Sequence, residues 1–120
     1  MQDFRNLKVW QKAHEYVLLV YRGSGGFPAH ENFGLRSQLR RASVSIAANI
    51  AEGAGRGSDA DFARFLSMAF GSACEAEYLI LLATDLGYLP KDEEAQLTLH
   101  LSETKRMLGG LLGKVRMADS

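Results

Sequence analysis

The sequence predicts an all-α protein, an antiparallel four-helix bundle. Three observations predict it. Apolar residues recur at helical spacings along most of the chain. No segment alternates apolar and polar residues over a strand's length. The breaks between periodic stretches coincide with glycine clusters and with the two prolines, Pro28 and Pro90. Residues 1–120 read as one domain, long enough to bury a core without a covalent staple.

The first helix is expected over residues 7–22, where Val9 or Trp10, Ala13, Val17, Val20 and Tyr21 lie near helical spacing, and it stops at Gly23-Ser24-Gly25-Gly26. A loop through Phe27 and Pro28 leads to a second helix over residues 32–54, ended by Gly53, Gly55 and Gly57, where glycine tolerates the positive φ of a helix stop. Ser58 offers an N-cap to a third helix over residues 59–86, with Asp59 and Asp61 in the first turn, where the helix dipole favours negative charge. Its stripe is Phe62, Leu66, Ala69, Ala73, Ala76, Ile80 and Ala83, and Gly87 is its stop. Residues 89–92 turn the chain. Asp92, Glu93 and Glu94 then open a fourth helix, with Leu97, Leu101, Leu108, Leu111, Leu112 and Val115 facing inward. Long helices joined by short turns pack most simply up-down-up-down.

Residues 42–51 contain no charge, no Gly and no Pro, although they sit in mid-helix. At about 100° per residue, Leu35, Leu39, Ala42, Ile46, Asn49, Ile50 and Gly53 share one face, while Val44, Ala47, Ala48 and Ala51 fall opposite. Residues 65–74 of the third helix, which include Met68 and Gly71, are also charge-free. A helix that is small or apolar on every side needs covering on more than one side. The expected cover is a second copy of the chain, touching through Val44, Ala47, Ala48, Ala51, Met68 and Gly71.

Composition narrows the rest. The single Cys74 excludes an internal disulfide and a thiolate metal cluster within one chain, and a reducing, cytoplasmic setting is expected. No apolar run approaches the roughly 20 residues of a membrane span, and the N-terminus lacks a signal-peptide core, so no membrane partner is expected. Charge balances at 14 Lys or Arg against 14 Asp or Glu, but not evenly: residues 1–58 carry eight against four, and residues 59–120 carry six against ten. A basic side and an acidic side follow if the halves occupy different surfaces.

Little suggests catalysis. His14, His30 and His100 lie in separate segments without a partner at ligand spacing, so neither metal nor cofactor is expected. Gly53, Gly55 and Gly57 follow a helix, not a strand, and read as a turn, not as a phosphate loop. Cys74 is expected to be a small buried residue without a neighbour to activate it. Ser43, Ser45, Ser67 and Ser72 fit close helix packing better than nucleophilic chemistry. Arg36 and Arg40, four apart on one helix, should face either Glu75 or Glu77 of the third helix or a nucleic-acid phosphate, with Lys8, Lys12, Arg41 and Arg56 completing the basic patch. Asn49 is expected to be a buried hydrogen-bonding residue that fixes register.

Three segments carry a resemblance: Phe4-Arg5-Asn6-Leu7-Lys8-Val9-Trp10-Gln11-Lys12-Ala13; Gln38-Leu39-Arg40-Arg41-Ala42 followed by Ser45-Ile46-Ala47-Ala48-Asn49-Ile50-Ala51-Glu52-Gly53; and Phe65-Leu66 with Gly71-Ser72 and Glu75. Together they resemble the bacterial four-helix bundle proteins, also called the 23S rRNA intervening-sequence proteins because some members are encoded within insertions in ribosomal RNA genes. The resemblance implies a ring-like homopentamer. It also implies similarity to accessory proteins of diversity-generating retroelements, which bind nucleic acid and associate with a reverse transcriptase, although those relatives are typically strongly basic and this chain is neutral. Arg40, Arg41, Ser45, Asn49, Glu52 and Gly53 match the family's central motif, and with Glu75 they read as residues that build the fold and its subunit contacts. The expectation is therefore a non-enzymatic, oligomeric scaffold or accessory protein that contacts RNA or DNA through its basic half. The alternative is a protein-interaction adaptor without a nucleic-acid role.

Overall fold

A computed structural model describes residues 2–119, and its four long helices lie close to where the punctuation puts them. They are α1 (Lys8–Ser24), α2 (Leu35–Ala54), α3 (Asp59–Asp85) and α4 (Lys91–Asp119), with short 3-10 turns at Phe4–Asn6 and Ala29–Glu31 and no strand among the described residues. Ser58 caps α3 as expected, its Oγ accepting the Asp61 N–H at 3.1 Å. Gly87, at φ +79°, stops the same helix.

The largest shift in a boundary is at the start of α2. Residues 32–34 precede the helix instead of forming its first turn, because Glu31 reaches forward and its carboxylate accepts the Leu35 N–H at 2.8 Å. The expected positive φ at the end of α2 is not found: Gly55 has φ −81° and Gly53 lies inside the helix. Gly53 serves close approach instead. A Cβ there would stand 2.7 Å from Phe65 Cβ and 3.0 Å from Phe62 Cδ1, so glycine lets α2 and α3 meet where they converge.

Each helix packs against its two neighbours in a closed cycle, α1 on α2, α2 on α3, α3 on α4 and α4 on α1. The pairs are antiparallel. Gln2, just before α1, donates its N–H to Ala54 at the end of α2, Ser45 meets Ser72, Lys105 meets Glu77, and Lys12 meets Glu103. The body measures 46 × 23 × 21 Å, about the length of a 29-residue helix at 1.5 Å per residue.

The whole predicted stripe of α3 is buried, as are Leu97, Leu101, Leu108, Leu112 and Val115 of α4, while Leu111 is half-buried. On α1 the inward residues are Val9, Ala13, Tyr16 and Val20; Val17 is half-buried and Tyr21 exposed. Tyr16 is a polar anchor that periodicity passes over, because its ring fills the core while its hydroxyl meets Ser43. By length and composition α3 could cross a membrane, with a mean hydropathy of 1.4 over its most apolar window, but here its apolar stripe packs against α2 and α4.

Candidate functional site

The arginines of α2 turn inward upon their own chain. Arg36 Nε donates to the Ser24 carbonyl at 2.9 Å, and its terminal nitrogens reach the carbonyls of Phe27 at 2.6 Å and Gly25 at 3.2 Å as well as the Asn32 side chain. Arg40 donates to Ser24 Oγ at 2.8 Å and to the Tyr21 carbonyl at 3.1 Å, and its guanidinium lies 4.5 Å from the Tyr21 ring centroid. The end of a helix exposes carbonyls without intrahelical partners, and cationic donors satisfy them while complementing the negative end of the dipole. Arg36 and Arg40 therefore close the end of α1 and the loop beyond it. This corrects the expectation that they face Glu75 or Glu77: Glu77 accepts from Lys105 of α4 at 3.2 Å, and Glu75 lies exposed across the groove from Arg41.

The other basic candidates are dispersed. Lys12 sits between Glu15 at 3.9 Å and Glu103 at 3.2 Å. Arg56 pairs with Glu52 at 3.8 Å and covers the Phe65 ring. Lys8 is at the opposite end of α1 from Arg36 and Arg40, beside an apolar groove lined by Leu7, Met107, Leu111 and Lys114. Arg41 points away from α1 toward α3, where Gln38, Ser45, Ser72 and Glu75 form a polar hollow of about 280 Å³. The structure thus spreads these six residues over separate surfaces.

The motif residues Ser45 and Asn49 belong to that α2/α3 seam. The Ser45 and Ser72 hydroxyls are 2.9 Å apart, which joins the two charge-free stretches directly. Asn49 is half-buried, and its Nδ2 donates to the Ser45 carbonyl at 2.9 Å and Ser45 Oγ at 3.0 Å. Its bonds are internal to α2, a correction to the buried, register-fixing role. Cys74 is exposed, not buried, and lies with Glu77, Tyr78, Leu81, Glu94 and Thr98 along the α3/α4 groove. A stripe calculation misses this because Cys74 is one step beyond Ala73 and turns toward solvent.

Of the residues expected to meet a second copy, Val44, Ala48, Met68 and Gly71 are exposed, and Ala47 and Ala51 are half-buried. Sequence reasoning missed the cluster at the α1–α2 and α3–α4 turns. Tyr88 donates its hydroxyl to Glu31 at 3.1 Å and stands 3.4 Å from His30 Nε2. The Glu31 carboxyl is held below its ordinary range chiefly by the Leu35 N–H; partial burial opposes this, and the Tyr88 hydroxyl and His30 assist it. The Tyr88 phenol is raised by burial and by Glu31. The signal available was Phe33-Gly34 before a helix start, with Glu31 placed to cap it.

Fold and surface together define a small four-helix bundle whose notable features are faces and grooves between antiparallel helices. The profile of the 23S rRNA-intervening sequence protein family matches residues 5–110, and the chain belongs to that family. A solved structure similar to it is that of a protein of unknown function from the S23 ribosomal protein family of Bacteroides thetaiotaomicron VPI-5482. The two superpose with a TM-score of 0.80 at 25% identity, over 87% of this chain and 97% of that one. No curated protein matches the chain.

Proposed function

We propose that the protein is a non-enzymatic scaffold that works by self-association and by presenting helix faces to other proteins. The observation that carries this reading is the number of large apolar side chains left in solvent on a small bundle, including Leu18, Tyr21, Phe33, Met68, Tyr78 and Leu81. Scattered exposure is ordinary, but groups of such residues along helix pairs are the mark of an interaction surface. The engagement of Arg36, Arg40, Lys12 and Arg56 within the chain supports protein contact over phosphate contact. The ring of five copies and a reverse transcriptase partner, both implied by the family resemblance, are specific forms of this proposal.

Sedimentation velocity over a concentration series tests it. A species larger than two subunits that persists at micromolar protein supports the scaffold, and a monomer at every concentration overturns it.

A second reading, contact with RNA or DNA, has one observation in its favour: Lys8 and Arg41 make no ion pair among the described residues. Fluorescence anisotropy of labelled structured RNA and duplex DNA at low and near-physiological salt decides it. Saturable binding that weakens steeply with salt supports phosphate contact, and no binding at low salt removes it.

A further inference from the structure

The hollow of about 280 Å³ on the α2/α3 seam, lined by Gln38, Arg41, Ala42, Ser45, Ser72 and Glu75, holds charges that the chain leaves unanswered. The other charged side chains of α2 are engaged: Arg36 and Arg40 hold the end of α1 and the loop after it, and Glu52 pairs with Arg56. In the middle of α3, Glu77 holds Lys105. Arg41 and Glu75 face the same hollow without forming an ion pair, and neither they nor the Gln38 amide have a side-chain partner among the described residues.

Helix register brings these groups together. The Ser45 and Ser72 hydroxyls lie 2.9 Å apart. Because α2 and α3 are antiparallel, Arg41, four residues before Ser45, and Glu75, three residues after Ser72, stand about one turn from that pair in the same direction. Gln38 is about one turn further along the same face of α2. Ala42, buried among them, contributes only a methyl group and leaves the space open.

The floor carries a spare donor. Two hydroxyls hold two protons, and the Ser45–Ser72 bond uses one. Asn49 donates to Ser45 Oγ at 3.0 Å and so takes up neither. The second proton has no acceptor among the described residues, and both serines are half-buried.

The hollow thus presents a guanidinium and a hydroxyl proton, a carboxylate, and an amide that both donates and accepts. A simple anion suits Arg41 but is repelled by Glu75, and a simple cation meets the reverse. A molecule carrying both charges satisfies both, and the guanidinium fork matches the two oxygens of a carboxylate. Sites for drug-sized ligands span about 300–1,000 Å³, so this smaller space suits a compact molecule.

We infer that the hollow binds a free α-amino acid, with its carboxylate on Arg41 and the spare serine proton, its ammonium on Glu75, and a polar side chain at Gln38. Asn49 is a positioning residue that holds Ser45 beside Ser72. The inference goes beyond the scaffold reading and does not depend on it.

NMR titration of isotope-labelled protein with L-glutamine, L-asparagine and L-serine in turn tests it. The expected result is saturable shifts around Arg41, Ser45, Ser72 and Glu75 with at least one of the three. The analogue of that amino acid lacking the ammonium, the analogue with an amide in place of the carboxylate, and inorganic phosphate should each bind at least about tenfold more weakly. Arg41→Gln and Glu75→Gln, at exposed positions and checked for helicity by circular dichroism, should each raise Kd by a similar factor. No saturation with any of the three overturns the inference, as does phosphate or the deaminated analogue binding equally well, or charge variants that bind like wild type. If none binds and Arg41→Gln instead changes the sedimentation of the protein, the hollow is a contact between copies, and the scaffold reading stands without the ligand. A monomeric wild type that binds an amino acid supports the inference and removes the scaffold reading.

Discussion

Ser43 of α2 donates its hydroxyl to Tyr16 Oη of α1 at 3.1 Å, in a contact that water does not reach. Both groups are polar, both are in the core, and each answers the other's need for a partner. Ser43→Ala leaves the Tyr16 hydroxyl without this partner and is expected to cost about 1–3 kcal/mol. Tyr16→Phe is expected to cost less, because a mid-helix serine can turn to the carbonyl four residues earlier. Urea unfolding of both single variants and the double variant checks this, and additive losses would show that the pair is not coupled.

The same phenol makes the fold sensitive to alkali. Burial pushes the Tyr16 pKa up to about 12, with the Ser43 bond acting in the opposite direction. A raised folded value means that the stabilisation is whole below the unfolded value of about 10 and is lost as pH rises from there toward 12. Wild type is expected to lose stability over that window and Tyr16→Phe to lose less. Equal slopes in alkaline denaturation would refute the assignment.

Glu31 supplies the acid counterpart. Its folded value is lowered, so its contribution is present above the unfolded value and disappears as pH falls through the folded one. The expected outcome is a fall in wild-type stability below about pH 4.5 that is shallower in Glu31→Gln. Urea midpoints measured from neutral pH down to about pH 3 check it.

Gly53→Ala places a methyl group 2.7 Å from Phe65 Cβ. Neither side of the α2/α3 contact is a flexible side-chain end, so overpacking of about 1–3 kcal/mol is expected. Gly109→Ala is the control: a Cβ there meets nothing within 4 Å, and the helix gains about 0.5–1 kcal/mol. Thermal melts of the two variants should shift in opposite directions.

Arg36→Gln is expected to destabilise the protein by about 1–3 kcal/mol, because carbonyls at the end of α1 and in the following loop lose a charged donor. Its effect on RNA binding should be no larger than the loss of folded protein accounts for. A stable variant with specifically lost binding would return Arg36 to a phosphate-contacting role.

The sequence alone determined the four helices, their order, most of their inward stripes, and the cap at Ser58 and stop at Gly87. These follow from local rules: a period of 3.6, a hydroxyl before an acidic first turn, and glycine at a positive φ. The family motifs in residues 4–13 and 45–53 were equally legible. Tertiary structure alone decided where Arg36 and Arg40 go. Their spacing announces an unmet partner but not whether that partner is a carboxylate, a phosphate or the end of another helix, and the packing of α2 against α1 brings the backbone carbonyls first. The same limit applies to Gly53, read as a stop but needed for the approach of Phe65, and to Cys74, whose exposure depends on how far α4 covers α3. Periodicity names the face of a helix, and only the packed neighbour decides what that face meets.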